Sequence, residues 1–146
     1  MSLGENLRKA RGSKSQIEVA KALAISANTL SSYERDRAVP SIEVFKNLCE
    51  ILGLSADSLL CIKDISNNPE NKGGMLAGKF ANIRDNLGMS QKEIAKLVDV
   101  STGTWSKYET GNRTPPLKRF QTICKECKVS ADYLLGLSQK NQNKGD

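Results

Sequence analysis

Residues 15–60 read SQIEVAKALAISANTLSSYERDRAVPSIEVFKNLCEILGLSADSLL, and residues 90–135 read SQKEIAKLVDVSTGTWSKYETGNRTPPLKRFQTICKECKVSADYLL. The two stretches align without a gap at an offset of 75 residues, with 18 identities in 46 positions. Self-similarity at one offset is typical of a repeated structural unit. The chain is therefore predicted to contain two copies of one domain, which we call unit one and unit two.

Each copy carries the signals of several short helices. Ser15-x-x-Glu18 and Ser90-x-x-Glu93 have the spacing of a capping box, which begins a helix. Serines at equivalent places predict the starts of the third and fifth helices: Ser26, Ser101, Ser55 and Ser130. Apolar residues at helical spacing around Phe45 and Phe120 predict the fourth helix. Because no alternating β pattern is present, the predicted fold class is all-α, with five short helices in each unit.

The repeat also sets the predicted domain boundaries. Unit one is expected over residues 1–62 and unit two over residues 78–137. Residues 63–77, KDISNNPENKGGMLA, concentrate Asn, Pro and Gly and are predicted to be a flexible linker. Residues 138–146 are predicted to be a polar tail.

Composition excludes several classes of function. The 146 residues contain 22 Lys+Arg, 16 Asp+Glu and no His, for a formal net charge of +6. An imidazole general base and a His-ligated metal are thereby absent. No apolar run is long enough for a membrane span, and the start is too polar for a signal peptide. We therefore expect a cytoplasmic protein and no membrane partner.

The positive charge is unevenly distributed between the copies. Residues 1–62 hold 8 basic and 7 acidic residues, net +1, whereas residues 78–137 hold 10 and 6, net +4. A positive surface attracts anionic partners such as nucleic acid. This attraction is expected to be stronger in unit two.

One family matches both copies. The pattern is Leu-Arg, Ser-Gln-x-Glu-(Ile/Val)-Ala, Ser-x-x-Thr-x-Ser-x-Tyr-Glu, Pro and (Leu/Val)-Ser-Ala-Asp-x-Leu-Leu. With it the chain resembles the lambda-repressor-like, or XRE-type, helix-turn-helix regulators over about 120 residues. The resemblance implies two tandem five-helix DNA-binding domains joined by a flexible linker. No cofactor and no metal are predicted, and a cytoplasmic protein of this kind is expected to be associated with the nucleoid when bound to DNA.

The resemblance also implies a set of DNA-binding residues. Gln16 and Gln91 are expected to bind backbone phosphates at the start of helix two. Asn28 suits adenine, and Lys107 suits guanine or a phosphate. The full set is Gln16, Ala27, Asn28, Ser32, Arg35 and Arg37 in unit one, and Gln91, Thr102, Gly103, Lys107, Asn112 and Arg113 in unit two.

Two ion pairs are implied as structural supports. Leu7-Arg8 matches Ile83-Arg84 if one extra residue is allowed in the first copy. On that alignment, Arg8 pairs with Glu34 and Arg84 pairs with Glu109, tying helix one to the end of helix three. The residues Leu30, Tyr33, Trp105 and Tyr108 are expected in the core.

The copies depart from the family pattern in different ways. In the loop after helix three, unit two has Gly111, which suits a left-handed turn. Unit one has Asp36 there, a carboxylate where a phosphate should approach. Ala24 and Asp99 stand where a glycine is usual in the turn before helix three.

The leading hypothesis is a sequence-specific duplex-DNA-binding transcriptional regulator, a repressor of bacterial, phage or mobile-element origin. The alternative is an adaptor in which unit one serves dimerisation, as in a homodimer, or contact with another protein. A third hypothesis is a metal or thiol sensor at Cys124-x-x-Cys127, although those positions also suit a small buried hydrophobe. No phosphate loop or activated nucleophile is visible, so an enzyme is not predicted.

Overall fold

The structure, a computed structural model, describes residues 2–68 and 75–137. The chain divides into two compact units, with the boundary between Cys61 and Ile62. Unit one contains α1 (Leu3–Arg11), α2 (Gln16–Leu23), α3 (Ala27–Glu34), α4 (Ile42–Leu52) and α5 (Ala56–Leu60). Unit two contains α6 (Leu76–Leu87), α7 (Gln91–Leu97), α8 (Thr102–Thr110), α9 (Leu117–Cys127) and α10 (Ala131–Leu135). All regular elements of the described residues are helices, which confirms the predicted all-α class.

Serine side chains begin most of these helices. Ser90 and Glu93 form a complete capping box: Ser90 Oγ accepts from the Glu93 N–H at 3.1 Å, and Glu93 Oε1 accepts from the Ser90 N–H at 2.9 Å. In unit one only half of the predicted capping box is present: Ser15 Oγ accepts from the Glu18 N–H at 3.0 Å. The other predicted N-caps are confirmed by the same bond: Ser26, Ser101, Ser55 and Ser130. Each cap satisfies an amide that has no partner within its helix, and so sets where the helix starts.

The core of unit two contains an aromatic cluster. Phe80, Trp105 and Tyr108 lie with ring centroids 5.5 to 6.0 Å apart, in edge-to-face or tilted orientations. All three are buried, which confirms Trp105 and Tyr108 as core residues. In unit one the predicted core residue Leu30 is buried and Tyr33 is half-buried. Unit one thus packs the aliphatic side chain of Leu30 where unit two packs the ring of Trp105.

Helices α3 and α8 are each held by two neighbours. Helices α1 and α2 pack on α3, and α6 and α7 pack on α8. The turn before α3 contains Ala24 at φ 58°, and the turn before α8 contains Asp99 at φ 61°. Both are left-handed conformations, as expected at positions where a glycine is usual. They cost more conformational free energy at a residue with a Cβ. After these turns, α3 and α8 each keep one face exposed to solvent.

The predicted linker differs from the structure at both ends. Helix α6 begins at Leu76, inside residues 63–77. At the other end, the Asn67 N–H donates to the carbonyl of Lys128 at 3.0 Å, and Asn67 Nδ2 donates to the carbonyl of Cys127 at 3.1 Å. Asn68 Oδ1 accepts from the Ser130 N–H at 2.7 Å. We call residues 62–68 the docked segment, because they belong to unit two and bond to the α9–α10 turn.

The docked segment has a further contact, an ion pair of 3.6 Å between Asp64 and Lys128. The Asn-rich composition that suggested a linker therefore supplies side chains that cap exposed backbone groups of unit two. The rest of the predicted linker, residues 69–74, and the predicted tail, residues 138–146, lie outside the described residues.

Candidate nucleic-acid interface

The outer faces of α3 and α8 carry the residues predicted to meet base edges. In unit two, Thr102, Gly103 and Lys107 are all exposed. In unit one, Asn28 is exposed, while Ala27 and Ser32 are half-buried. Each helix is thus oriented with its small and polar residues outward and its large apolar residues in the core.

A buried carboxylate at the end of each of these helices organises the scaffold behind it. Glu109 receives hydrogen bonds from Arg84 Nε at 2.6 Å, Arg84 Nη2 at 3.2 Å and Gln91 Nε2 at 3.1 Å, and also from Trp105 Nε1. Arg84 Nη1 donates further to the carbonyl of Met89 at 3.3 Å. The guanidinium therefore ties α6 to α8 and to the residue preceding the cap of α7. We call this arrangement the carboxylate clamp.

Unit one has the same clamp. Arg11 Nε and Nη2 donate to the two oxygens of Glu34 at 2.7 and 3.1 Å, and Gln16 Nε2 donates to Glu34 Oε1 at 3.0 Å. Arg11 Nη1 donates to the carbonyl of Lys14 at 2.7 Å. Bidentate charge-assisted bonds of this kind are both strong and directional.

The clamps lower the pKa of both glutamates. Burial alone opposes ionisation, but hydrogen bonds from the arginine and the glutamine outweigh it and lower the pKa of Glu34. At Glu109 the same opposition of burial and donors applies, with Trp105 as an additional donor, and the pKa is again lowered. Both carboxylates are therefore charged at neutral pH.

The predicted pair between Arg8 and Glu34 is wrong. The residue paired with Glu34 is Arg11, one turn later on α1, whereas Arg8 is exposed and contributes only its charge at longer range. The predicted pair between Arg84 and Glu109 is present in the structure.

The wrong pairing comes from the alignment of the two copies upstream of the second helix. Arg11 lies four residues before the cap Ser15, but Arg84 lies six residues before the cap Ser90. The structural match therefore pairs Arg11 with Arg84 at an offset of 73, and the extra residues belong to unit two. Helix one has few identities between the copies, so the arginines alone did not reveal this offset.

Gln16 and Gln91 do not point freely into solvent. Both are half-buried, and each directs its side-chain nitrogen to the carboxylate of the clamp. Each glutamine therefore already bonds to a carboxylate of the scaffold. Its contact with a phosphate stays a prediction.

The loops after α3 and α8 share a left-handed turn and differ in the side chain that it carries. Gly111 adopts a left-handed conformation with φ 81°, and Asp36 adopts φ 59° at the equivalent position. The Asp36 carboxylate is not aimed at solvent alone, because its Oδ1 accepts a hydrogen bond from the Gly4 N–H at 2.9 Å. It therefore caps α1 from across the unit.

The predicted cationic residues of these loops are exposed. They are Arg35 and Arg37 in unit one, and Arg113, next to the exposed amide Asn112, in unit two. The Arg113 N–H donates to the carbonyl of Lys107 at 3.2 Å, so the structure brings these two residues together at the end of α8. In unit one the Arg37 N–H donates to the carbonyl of Ser32 at 2.9 Å, and no second cation stands on the helix there.

Comparison with known proteins matches both halves of this architecture. A family described as "Helix-turn-helix domain" matches residues 78–140, and a family described as "Helix-turn-helix" matches residues 5–59. Both units are helix-turn-helix domains. The resemblance predicted from the two motif strings is thereby confirmed, and neither matched family is an enzyme family.

A curated relative of this helix-turn-helix chain is the HTH-type transcriptional regulator ImmR of Bacillus subtilis (strain 168). The two are 38% identical over 72 residues. The match covers 48% of this chain and 57% of the regulator, so it spans little more than half the length of that relative.

The second helix-turn-helix unit has a basic cleft that sequence analysis missed. It has a volume of about 500 Å³ and lies between the turn before α8, α8 itself and the start of α9. Arg113 and Arg119 both line it, and Arg119 Nη1 donates to the carbonyl of Val98 at 3.2 Å. The signal was available in the repeat: Lys118 and Arg119 stand where unit one has Glu43 and Val44.

The structure does not support a thiol sensor in the second helix-turn-helix unit. Cys124 and Cys127 are buried, and burial raises the pKa of the Cys127 thiol to about 12. A thiol in that state is a poor nucleophile and a poor metal ligand. Across residues 2–68 and 75–137, no cluster of three or more His, Cys, Asp or Glu side chains is placed to hold a metal ion.

Within the described part of the chain, none of the helices has the length and apolar character needed to cross a membrane.

Proposed function

We propose that this protein binds duplex DNA sequence-specifically and regulates transcription, acting as a repressor by occupying its operator. The two helix-turn-helix domains support this proposal, as does the similarity to a protein named as a transcriptional regulator. A helix of this type enters the major groove and reads base edges with its outward side chains.

The observation that carries the proposal is the outer face of α8. Thr102 and Gly103 are exposed at its start, and the exposed Lys107 follows one turn later. Arg113 is held beside Lys107 by the backbone bond of 3.2 Å. One surface thus combines groups suited to base edges with a cation suited to phosphate.

Unit two is proposed to supply most of the affinity. Besides its net charge of +4, it carries Lys92 where unit one has Ile17, a side chain 72% exposed. Its α9 begins with Lys118 and Arg119, and the equivalent residues of unit one carry no positive charge. Since phosphate neutralisation supplies much of the affinity for DNA, these replacements weaken unit one relative to unit two.

The adaptor alternative for unit one is not favoured. Residues 5–59 match a helix-turn-helix family in their own right. Its Asp36, which suggested repulsion of phosphate, is bonded to Gly4. Unit one is therefore proposed as a second, weaker DNA reader.

The proposal is tested by selecting bound sequences from a random pool of duplex DNA and then titrating the selected site at several salt concentrations. Lys107→Ala is expected to alter the selected sequence. Arg113→Ala is expected to weaken binding to all sequences and to reduce the salt slope by about one. Lys125→Ala is the matched control, because it removes the same charge from an exposed residue near the end of α9. No enriched motif, or affinity independent of salt, would refute the proposal.

A further inference from the structure

Helices α3 and α8 begin in the same way, so their residues can be compared position by position. Ser26 Oγ and Ser101 Oγ each accept from the N–H three residues later at 3.0 Å. In each helix the same serine hydroxyl also lies 2.8 Å from the hydroxyl of the threonine three residues on. The clamps bind the glutamate at the equivalent place in each helix, Glu34 and Glu109. The register of α3 and α8 is therefore the same.

Across the eight equivalent residues of α3 and α8, the outward side chains differ at three positions. Residues 27–34 read ANTLSSYE and residues 102–109 read TGTWSKYE. The change from Leu30 to Trp105 lies in the core. The outward differences are Ala27 against Thr102, Asn28 against Gly103, and Ser32 against Lys107.

Gly103 leaves a notch on the surface of α8. It is exposed, and a Cβ built on it would meet no heavy atom within 4 Å. It is also not among the residues with positive φ. The fold of unit two therefore does not require glycine there, although glycine in a helix is less favourable than alanine. Its effect is to bring the helix backbone to the surface where unit one presents the amide of Asn28.

The position of the longest outward side chain therefore differs between the two copies. In unit one it is Asn28, in the first turn, and in unit two it is Lys107, four residues after the notch. Four residues correspond to about 6 Å along a helix axis, close to two base-pair steps of about 3.4 Å. The two helices therefore present their longest outward side chains at positions about 6 Å apart along the helix axis.

We propose that the two units read unlike half-sites, so that the operator is asymmetric. Asn28 reads an adenine from the first turn of α3. In unit two, Gly103 admits a base-pair edge against the backbone of α8, and Lys107 reads a guanine one turn further on. This inference rests on the proposed function and specifies which base chemistry each unit takes.

The chain offers an internal exchange as the experiment. The triple variant Thr102→Ala, Gly103→Asn and Lys107→Ser gives α8 the outward residues of α3. Because all three positions are exposed, the variant is expected to keep the helical circular dichroism of the parent chain. The reciprocal variant is Ala27→Thr, Asn28→Gly and Ser32→Lys. Each full-length protein is used to select from the same random duplex pool.

Two unlike half-sites are expected for the parent chain, one that depends on adenine and one that depends on guanine. The first variant should select two adenine half-sites, and the reciprocal variant two guanine half-sites. Replacing the critical base should weaken binding about tenfold or more in each case. Two identical half-sites for the parent, a single motif, or exchange variants that keep the parent motif would overturn the inference while leaving DNA binding established. A parent chain that enriches no motif would overturn the proposed function as well.

A single substitution tests the notch separately. Gly103→Ala adds one methyl group at the proposed close approach, and is expected to strengthen the fold slightly but to weaken binding to the selected site about tenfold. Gly78→Ala is the matched control, because Gly78 is also exposed in the first turn of a helix with open space around a Cβ. It should leave binding unchanged. Equal affinity for Gly103→Ala and the parent would show that no base pair approaches the notch.

Discussion

The N–H of Gly4 donates a hydrogen bond of 2.9 Å to Oδ1 of Asp36, joining the first turn of α1 to the loop that follows α3. In unit two this side-chain acceptor is replaced by a glycine, and the small side chain stands on the helix instead. Ala77 takes the place of Gly4, and Gly111 takes the place of Asp36, with 3.6 Å between the Ala77 Cβ and a Cβ built on Gly111. Each unit therefore places one side chain in this gap, but from opposite sides.

Gly4→Ala is expected to destabilise unit one. A Cβ at this position would lie 2.5 Å from the carbonyl oxygen of Glu34 and 2.7 Å from that of Tyr33, and backbone atoms cannot move aside cheaply. We expect a loss of about 1 to 3 kcal/mol in the free energy of unfolding. Urea denaturation followed by circular dichroism measures it.

The control for Gly4→Ala is Gly78→Ala, where no atom lies within 4 Å of the added Cβ. It should leave the free energy of unfolding unchanged or raise it by up to about 1 kcal/mol. Equal effects of the two substitutions would contradict the close approach at Gly4.

Arg11→Met and Arg8→Met should differ sharply, because Arg11 is the one of these two arginines that bonds to Glu34. Removing Arg11 leaves a buried carboxylate without its cation, which costs about 3 kcal/mol, while methionine keeps the apolar stem. Arg8→Met removes an exposed charge and should change stability by less than about 0.5 kcal/mol. Thermal unfolding of the two variants decides between them. A larger effect of Arg8→Met would restore the pairing first expected.

Acid is expected to weaken unit two through Glu109, whose pKa is lowered by the clamp. Because its pKa in the folded state lies below the unfolded value near 4.3, the stabilisation is complete above that pH and is lost as the pH falls through the folded pKa. Guanidinium denaturation, followed by the fluorescence of Trp105 between pH 7 and pH 3, reports this unit. Glu109→Gln should be less stable at pH 7 and should show a flatter pH dependence. A parent protein equally stable at both pH values would contradict the role of the clamp.

Cys61 should be the first cysteine to react with a thiol reagent in the folded protein. It is exposed, whereas Cys49, Cys124 and Cys127 are buried. The raised pKa of Cys127, about 12, further suppresses its thiolate. Mass spectrometry after brief treatment with iodoacetamide should find label on Cys61, and on the other three only after denaturation. Early labelling of Cys127 would show that the α9–α10 region opens readily.

Asn67→Ala should destabilise unit two, although it lies outside the helices. It removes the hydrogen bond of 3.1 Å to the carbonyl of Cys127, and we expect a loss of about 1 kcal/mol. Ser66→Ala changes an exposed neighbour in the same segment and serves as the control. Trp105 fluorescence during denaturation measures both. If the two substitutions have equal effects, the hydrogen bond from the Asn67 side chain does not stabilise unit two.

Local rules were sufficient to predict the helices. Ser90 and Glu93 lie three residues apart and form a complete capping box, and at the same spacing Ser15 accepts from the Glu18 N–H. The turn residues Ala24 and Asp99 were likewise recognised by their position in the repeat, and both are left-handed. Such features are encoded within a few neighbouring residues.

Contacts between distant residues were harder to predict. The partner of Glu34 lies 23 residues away, and the length of the connection between the first two helices differs between the copies. Asn67 and Cys127 are 60 residues apart, and nothing in the asparagine itself indicates which carbonyl it meets. For the same reason the charge of Asp36 suggests repulsion of a phosphate, whereas its carboxylate bonds to the N–H of Gly4, 32 residues away.

The docked segment has a consequence for anyone who treats the two copies as interchangeable modules. Its bonds to the α9–α10 turn make the connector part of the second module, beginning at Ile62, while the first module ends at Cys61. A graft of the second module onto another protein should therefore carry residues 62–68 with it. A graft that starts at α6 would discard bonds that no residue of the new host replaces.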